Sequence, residues 1–406
     1  MSLPEHILTG YKVLDFTHVL AGPSATRLMV EMGAEVIKVE FPPAGDVSRG
    51  LPMIKDGRSG YFLQQNRGKK SICVDGKTDA GREILDGLIA QVDVVMENFA
   101  PGAADRLGIG WERVKKINPR AVMCSLSAFG QEGPLSQQPG FDYIAQAYAG
   151  VTTMIGEADG PPYFPLLGLG DVNTGVHAAC AIGFALLHRE RSGKGQYLDI
   201  SLLDSYYHSH ELNVQVYSAS NGGIEPTRSG LHHYAVCPLG LFKGVEHYLF
   251  IIALEPQWKQ VCVAIGRPEL CDDERYSTNT KRLDHQEEVN QLIQDWIDTK
   301  SSDEEILKAL QAQRVPCAPV LSIAETVREP HLRERGTVRT VTDPKFGEVD
   351  LPGMPLRFSD YPHNIPLQTA HLGEHNVEIL TRMLGYKADK IQELYEASVL
   401  HENPAT

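Results

Sequence analysis

Strand-like and helix-like segments alternate along the first 125 residues, and this alternation constrains the fold more than any other feature of the chain. The strand-like segments are Lys12–Phe16, Ser71–Val74, Asp93–Glu97 and Ala121–Ser125, which are short and mainly apolar, and Glu35–Glu40, in which apolar and charged residues alternate. Between them, apolar residues repeat at helical spacing in Ser24–Met32, Asp79–Gln91 and Trp111–Asn118. Strands alternating with helices predict an α/β fold, with a mostly parallel sheet covered by helices on both faces.

A second domain is expected, because 406 residues exceed what one ordinary core accommodates. The pattern weakens into Ser, Gly, Asn and Pro over residues 217–228, which predicts a boundary there. Beyond it, residues from about 230 to about 325 have the mixed pattern of a smaller α+β unit.

Charge and cysteine content narrow the class of protein. A formal net charge of −14 argues against a nucleic-acid partner. The 7 cysteines form no C-x-x-C pair, as expected of free thiols in a reducing compartment. The first six residues lack the pattern of a secretory signal, and no apolar run approaches the ~20 residues of a membrane span. We therefore expect a cytoplasmic protein without a membrane partner.

One carboxylate, Asp171, lies in the glycine-rich segment Gly168–Gly175, directly before the helix predicted over Val176–Arg191. Glycines would let another molecule approach this carboxylate, and a helix start would supply N–H donors for an oxyanion. Such an aspartate can act as a covalent nucleophile. The local pattern alone favours an N-cap, since aspartate is a preferred N-cap residue. The local pattern leaves both interpretations open.

Other ligand motifs are weak or absent in the sequence. Glu40 ends a strand as in dinucleotide-binding domains, but the first turn, His18–Pro23, is not G-x-G-x-x-G, so no NAD site is expected. Histidine spacing predicts no metal site. The cluster of Arg67, Lys69 and Lys70 could form a basic pocket for a phosphorylated ligand. Asn98, Phe99 and Arg106 follow a strand, where open α/β sheets bind ligands.

Several ordered segments together resemble the class III CoA-transferase family (CaiB/BaiF), typified by formyl-CoA:oxalate and carnitine CoA-transferases. The resemblance covers nearly the whole chain. It is carried by Asp15–Pro23, Met32–Glu40, Asn66–Ser71, Glu97–Phe99 with Pro101-Gly102, Gly168–Gly175, Ser192–Gln196 and Leu372–His375.

The resemblance implies roles for individual residues. Asp171 would be the catalytic nucleophile, with Asp142 as an acid near the site. The residues expected to contact coenzyme A, the substrate, are His18, Leu20, Ala21, Val74, Lys77, Asn98, Phe99, Ala100, Arg106 and Asp142. The implied fold is an interlocked homodimer. Each chain would have a Rossmann-like CoA-binding domain over residues 1–225, a small α+β domain over 226–328 and a return to the large domain over 329–406.

The implied activity is acyl-CoA:carboxylate CoA transfer to a small organic acid, with succinyl-CoA as a candidate donor, through aspartyl anhydride and aspartyl-CoA thioester intermediates. Two other classes stay open: an α-methylacyl-CoA racemase and a non-catalytic CoA-binding protein. Racemases of this superfamily carry Gly-His-Asp where this chain has Gly140-Phe141-Asp142, and phenylalanine cannot move a proton. The chain also has only the short Gly230–Gly240 passage where formyl-CoA transferase has a long glycine-rich loop, so oxalate specificity is not expected.

Overall fold

A computed structural model describes residues 5–403 of the chain. The strands are β1 Lys12–Asp15, β2 Glu35–Glu40, β3 Ile54–Lys55, β4 Arg58–Ser59, β5 Lys70–Cys73, β6 Val94–Glu97, β7 Val122–Ser127, β8 Tyr197–Ser201, β9 Leu239–Lys243, β10 Tyr248–Ile252, β11 Cys317–Pro319, β12 Val338–Asp343 and β13 Gly347–Pro352. The α-helices are α1 Ala21–Glu31, α2 Gly60–Asn66, α3 Asp79–Ile89, α4 Ala103–Arg106, α5 Trp111–Ile117, α6 Asp142–Tyr148, α7 Leu169–Ser192, α8 Leu202–His208, α9 Asn213–Ala219, α10 Trp258–Ala264, α11 Asn279–Asp284, α12 Gln286–Ile297, α13 Asp303–Ala312, α14 Ile323–Thr326, α15 Pro330–Glu334, α16 Asn376–Leu384 and α17 Ala388–Glu396.

A six-stranded sheet of order β5-β2-β1-β6-β7-β8 organises the larger part of the chain. Every neighbouring pair in it is parallel; Leu14 of β1, for example, lies beside Ile37 of β2 and Val95 of β6. These strands are apolar because helices cover both faces of a parallel sheet. One face packs on α3, α5, α16 and α17 around a core that includes Leu14, Ile72 and Leu88. The predicted α/β class with a mostly parallel sheet is therefore confirmed.

The first helix begins earlier than its periodicity predicts. Helix α1 starts at Ala21, not Ser24, and Leu20 is its N-cap residue. Pro23 is tolerated in the first turn, because the N–H that proline lacks would have no partner inside the helix. The early start places the N-terminus of α1 directly after the β1 turn.

Two compact units make up the chain. The larger consists of residues 1–149, 165–210 and 330–406, of which the structure describes 5–149, 165–210 and 330–403. The smaller consists of residues 150–164 and 211–329. The smaller unit thus starts earlier than the expected boundary at residue 226, and it includes a segment from the region assigned to the large domain.

The smaller unit has its own core. The sheet β11-β10-β9 is antiparallel and packs with α10, α12 and α13 around Trp258, Tyr276 and Ile293. Within residues 5–403, no helix is both long and apolar enough to cross a membrane.

Candidate active site

A cavity of about 200 Å³ opens where the strand order of the large sheet reverses, between β1 and β6. Open α/β sheets bind ligands at this position, beyond the carboxyl ends of the strands. The lining comes from the turns after β1 and β6, the ends of β7 and β8, the residues directly before α6 and the first turn of α7: His18, Val19, Leu20, Ala21, Asn98, Phe99, Leu126, Ser127, Ala128, Gly140, Phe141, Asp171 and Leu202. The cavity is smaller than the ~300–1,000 Å³ that surrounds a whole ligand, so it fits the reacting end of one.

Asp171 enters this cavity from the first turn of α7. The helix begins at Leu169, seven residues before the predicted start, and Gly168 is its N-cap residue. Asp171 is the third residue of the helix and not the residue that caps it. The N-cap interpretation of Asp171 is therefore wrong, and its carboxylate is available to a ligand.

The glycines around Asp171 make room for the chain's own side chains. A Cβ on Gly170 would lie 2.6 Å from Cζ of Tyr206, and one on Gly168 would lie 2.5 Å from Cδ2 of Leu20. A Cβ on Gly175 would overlap Ser24 of α1. That these glycines also let another molecule approach Asp171 stays a prediction. They let α7 pack closely against α1 and α8, and this packing sets the position of Asp171.

The N–H groups at the start of α7 already have partners. The Asp171 N–H donates to Oδ2 of Asp142 over 2.8 Å, and the Gly170 N–H donates to the Tyr206 hydroxyl over 2.9 Å. The Tyr206 hydroxyl in turn donates to Oδ1 of Asp142. These two donors are therefore not free for an oxyanion, contrary to the sequence expectation. Asp142 and Tyr206 instead fix the main chain on which Asp171 sits.

Burial and the nearby charge of Asp142 raise the pKa of Asp171 to about 7. Asp142 is itself only 5% exposed. Burial, followed by the charge of Asp171, raises the pKa of Tyr61 to about 12, so this phenol stays neutral and able to donate a hydrogen bond. A carboxylate held with a raised pKa in a cavity is a candidate nucleophile.

Five of the predicted contact residues meet in this cavity: His18, Leu20, Ala21, Asn98 and Phe99. Asn98 fastens the two turns together, because its Oδ1 accepts from the His18 N–H (2.7 Å) and its Nδ2 donates to the His18 carbonyl (2.9 Å). The rings of His18 and Phe99 lie 5.6 Å apart.

The other five predicted contact residues, Asp142 among them, do not line the cavity. Val74 is fully buried in the core of the large unit, where its side chain cannot reach a ligand. Lys77, Ala100 and Arg106 are exposed. Lys77 and Arg106 follow β5 and β6, so both lie beyond the carboxyl ends of strands in the same sheet.

The basic cluster does not form a phosphate pocket. Arg67 is fully buried and pairs with Glu31, Lys69 pairs with Asp15, and Lys70 pairs with Glu35 and Glu378. Glu40 is likewise paired, to Arg49. These charges hold the large unit together, and none of these side chains lines the cavity beside Asp171.

In the smaller unit, donor atoms of Glu246, His247 and Asp303 lie within 4.8 Å of one another. Both ring nitrogens of His247 already contact carboxylates: Asp303 at 2.9 Å and Glu325 at 2.8 Å. The cluster ties the β9–β10 turn to α13 and α14.

Sequence reasoning missed several residues of the site. Leu126, Ser127, Ala128 and Leu202 lie at the carboxyl ends of β7 and β8. The rule that ligands bind at strand carboxyl ends would have found the first three. Leu202 follows β8, which the sequence pattern does not predict, and no motif identifies Tyr206.

Known proteins resemble the chain over nearly its full length. The model of CoA-transferase family III matches residues 8–376. A formyl-CoA:oxalate CoA-transferase of Streptomyces avermitilis is 37% identical over 97% of this chain and 99% of its own length. A succinyl-CoA:glutarate CoA-transferase of Mus musculus is 35% identical over 98% of this chain and 91% of its own length.

Solved structures show the same fold. A CaiB/BaiF family protein from Brucella suis is 31% identical and superimposes with a TM-score of 0.81 over 94% of this chain and 100% of its own. Rv3272 from Mycobacterium tuberculosis is 30% identical, with a TM-score of 0.79 over 92% of this chain.

Proposed function

The chain belongs to CoA-transferase family III, and from that membership we propose that Asp171 is the residue through which it transfers CoA. The protein is an acyl-CoA:carboxylate CoA-transferase, with acyl-CoA and a carboxylic acid as substrates. One observation supports the role of Asp171 above all. The carboxylate of Asp171, which does not cap helix α7, has a pKa raised to about 7. It lines the cavity located where the strand order of the large sheet reverses.

The proposed reaction begins when a carboxylate oxygen of Asp171 attacks the thioester carbonyl of the donor. The C–S bond breaks, which leaves an acyl-aspartyl anhydride and CoA thiolate. The thiolate attacks the aspartyl carbonyl, so that the donor acid leaves as a carboxylate and an aspartyl-CoA thioester remains. The acceptor carboxylate then expels the thiolate, giving a second anhydride. Finally the thiolate attacks the acceptor acyl carbon, which releases the new acyl-CoA and regenerates Asp171.

Each step exchanges one activated acyl group for another, so the chain needs only to bind, orient and exclude water. We assign the orienting role to Asp142 and Tyr206, which hold the Asp171 main chain. Tyr61 would donate to an oxyanion in place of the occupied N–H groups of α7.

Coenzyme A would lie across the turns after β1, β5 and β6. We propose His18, Leu20, Ala21, Asn98, Phe99 and Ala100 as its contacts near the thioester, with Val74 contributing through its main chain. Lys77 and Arg106 are exposed cations suited to the phosphate groups. The larger unit, residues 1–149, 165–210 and 330–406, would then be the Rossmann-like CoA-binding domain, and residues 150–164 with 211–329 the small α+β domain.

We also propose that the chain forms the interlocked homodimer of its family. Large apolar side chains of the larger unit are exposed along the start of α6 and along α7, among them Phe141 at 79% and Phe184 at 68% exposure. Patches of this kind mark protein interfaces. All cysteines of the described residues are free thiols, which supports a reducing, cytoplasmic setting.

Trapping with hydroxylamine tests the covalent role of Asp171. During turnover, hydroxylamine should convert Asp171 into a hydroxamate, because anhydrides and thioesters both react with it. Peptide mass spectrometry should locate the modification at Asp171 and find Asp142 unmodified. Enzyme without acyl-CoA is the control.

Turnover without any modification of Asp171 would contradict the covalent route. Deuterium exchange at the α-carbon of a 2-methylacyl-CoA would indicate racemase activity instead, and we expect none.

Activity should depend on the ionisation of Asp171. Only the carboxylate is nucleophilic, and its pKa is raised to about 7. We expect kcat/KM to rise about tenfold per pH unit below pH 7 and to level off above it. Initial rates between pH 5 and pH 9 measure this. A plateau extending down to pH 5 would mean that Asp171 titrates at its ordinary pKa.

A further inference from the structure

Residues near the end of the described chain cover the outer side of β5, the edge strand of the large sheet. The His401 N–H donates to the Cys73 carbonyl over 3.1 Å, and the Asp75 N–H donates to the Val399 carbonyl over 2.8 Å. The residues between them form an antiparallel bridge. The segment 399–401 therefore pairs with the carboxyl end of β5 as a further strand would.

Asn376, the first residue of α16, connects β5 to the segment 399–401 and is fully buried. Its Oδ1 accepts from the Cys73 N–H over 2.9 Å, and its Nδ2 donates to the His401 carbonyl over 2.8 Å. Nδ2 also donates to the Tyr395 hydroxyl over 3.1 Å. Because an amide supplies both a donor and an acceptor, this one side chain satisfies main-chain groups of both segments.

The same pairing holds the turn that follows β5. The Asp75 N–H is bonded to the segment 399–401, and Asp75 Oδ1 accepts from the Lys77 N–H over 3.0 Å. The Asp75 carbonyl accepts from the N–H of Thr78, the residue that caps α3. The exposed Lys77 therefore extends from a turn whose main chain is fastened to the segment on one side and to α3 on the other.

We infer that Asn376 is a positioning residue for coenzyme A: it joins β5 to the segment 399–401 and thereby holds the turn from which Lys77 contacts the phosphate groups. The inference rests on the proposed function, in which Lys77 meets these phosphates. A turn that is ordered beforehand spares the cost of ordering it when CoA binds. Asp171 is held by contacts from α6 and α8 instead, so Asn376 should affect the affinity for CoA and not the chemistry.

Calorimetric titration with CoA measures this effect, since every acyl donor shares the CoA part. Asn376→Ala should raise the dissociation constant of CoA about tenfold, as expected when a charged contact to phosphate is misplaced. Asn118→Ala is the matched control. Asn118 also joins main-chain segments, donating to the carbonyls of Ile89 over 3.0 Å and Val92 over 2.9 Å, but it lies before β7, at the amino end of the sheet. This control should lose stability and keep the native affinity.

A double substitution shows whether Asn376 acts through Lys77. Lys77→Ala alone should weaken CoA binding about tenfold. If Asn376 only positions the turn that carries Lys77, the double variant should bind CoA no more weakly than Lys77→Ala. An additive loss of about a hundredfold would mean that the two residues act separately, and it would overturn the inference.

Hydrogen exchange in the native protein tests the same link without any substitution. Saturating CoA should slow exchange in the peptide that contains Asp75 and also in the peptide that contains His401, because the two are bonded to each other's segment. Protection at Asp75 with unchanged exchange at His401 would overturn the inference and leave the proposed function standing. Native protein that neither binds CoA nor is labelled at Asp171 by hydroxylamine during incubation with acyl-CoA would overturn both.

Discussion

Replacing Asp171 with alanine should abolish CoA transfer, lowering kcat by roughly three orders of magnitude or more. The side chain supplies the only bond proposed between the enzyme and the transferred groups, and neither Asp142 nor Tyr206 can replace it. Both are engaged with each other and with the main chain at the start of α7. Product acyl-CoA measured by mass spectrometry gives the rate. Calorimetric titration with CoA should find affinity within a few fold of the native protein, since most proposed CoA contacts lie elsewhere.

The variant Asp171→Asn separates lost chemistry from lost structure. Its amide has the shape of the carboxylate but is a poor nucleophile, so its rate should fall as far as that of Asp171→Ala. Near-normal turnover by either variant would exclude Asp171 as the nucleophile. Loss of CoA binding along with turnover would point to a collapsed site.

The difference in stability between the native protein and Asp171→Asn should also depend on pH in a defined direction. Folding raises the pKa of Asp171 to about 7, so the native protein binds more protons than the unfolded chain between about pH 4 and pH 7. Native stability therefore falls as pH rises through this window. The asparagine side chain does not titrate in this window. The free energy of unfolding of the variant should therefore increase relative to that of the native protein up to about pH 7, and the difference should be constant above it. Chemical denaturation at pH 5 and pH 8 measures the difference.

The parallel sheet was predictable because β1, β6 and β7 are mainly apolar runs, typical of strands buried on both faces, and because apolar and charged residues alternate in β2. The edge strand β8 was not, because Tyr197–Ser201 is only partly buried and includes the exposed Asp199. Central strands of a sheet are therefore easier to predict from sequence than edge strands.

Part of the site could be predicted because residues in neighbouring turns meet wherever parallel strands end together. His18 and Asn98 are 80 residues apart and share two hydrogen bonds for this reason. The ion pairing of the basic cluster was not predictable. Whether Arg67 is free depends on Glu31, 36 residues away on a helix packed against it. Local sequence carries no signal for such pairs.

The start of α7 was missed because glycine has low helix propensity, and here tertiary packing overrides that propensity.

If tertiary packing determines where α7 begins, alanine substitutions at two glycines of this helix should have opposite effects on stability. A Cβ on Gly175 would overlap Oγ of Ser24 and lie 2.7 Å from the Ala21 carbonyl oxygen and 3.2 Å from the Ala25 nitrogen, both main-chain atoms of α1. Because main-chain atoms cannot move aside cheaply, Gly175→Ala should lower the free energy of unfolding by about 3 kcal/mol.

Gly183, two turns further along α7, is the matched control. A Cβ there would meet no atom within 4 Å. Gly183→Ala should therefore stabilise the protein by ~0.5–1 kcal/mol through helix propensity alone. Denaturant unfolding at one protein concentration measures both variants. If Gly183→Ala lowered the free energy of unfolding as much as Gly175→Ala, the close approach of α1 to α7 would not explain the destabilisation. Contacts in the assembled protein would then be its cause. A neutral Gly175→Ala would mean that α1 and α7 can separate, and Asp171 would then lack the fixed position that covalent transfer requires.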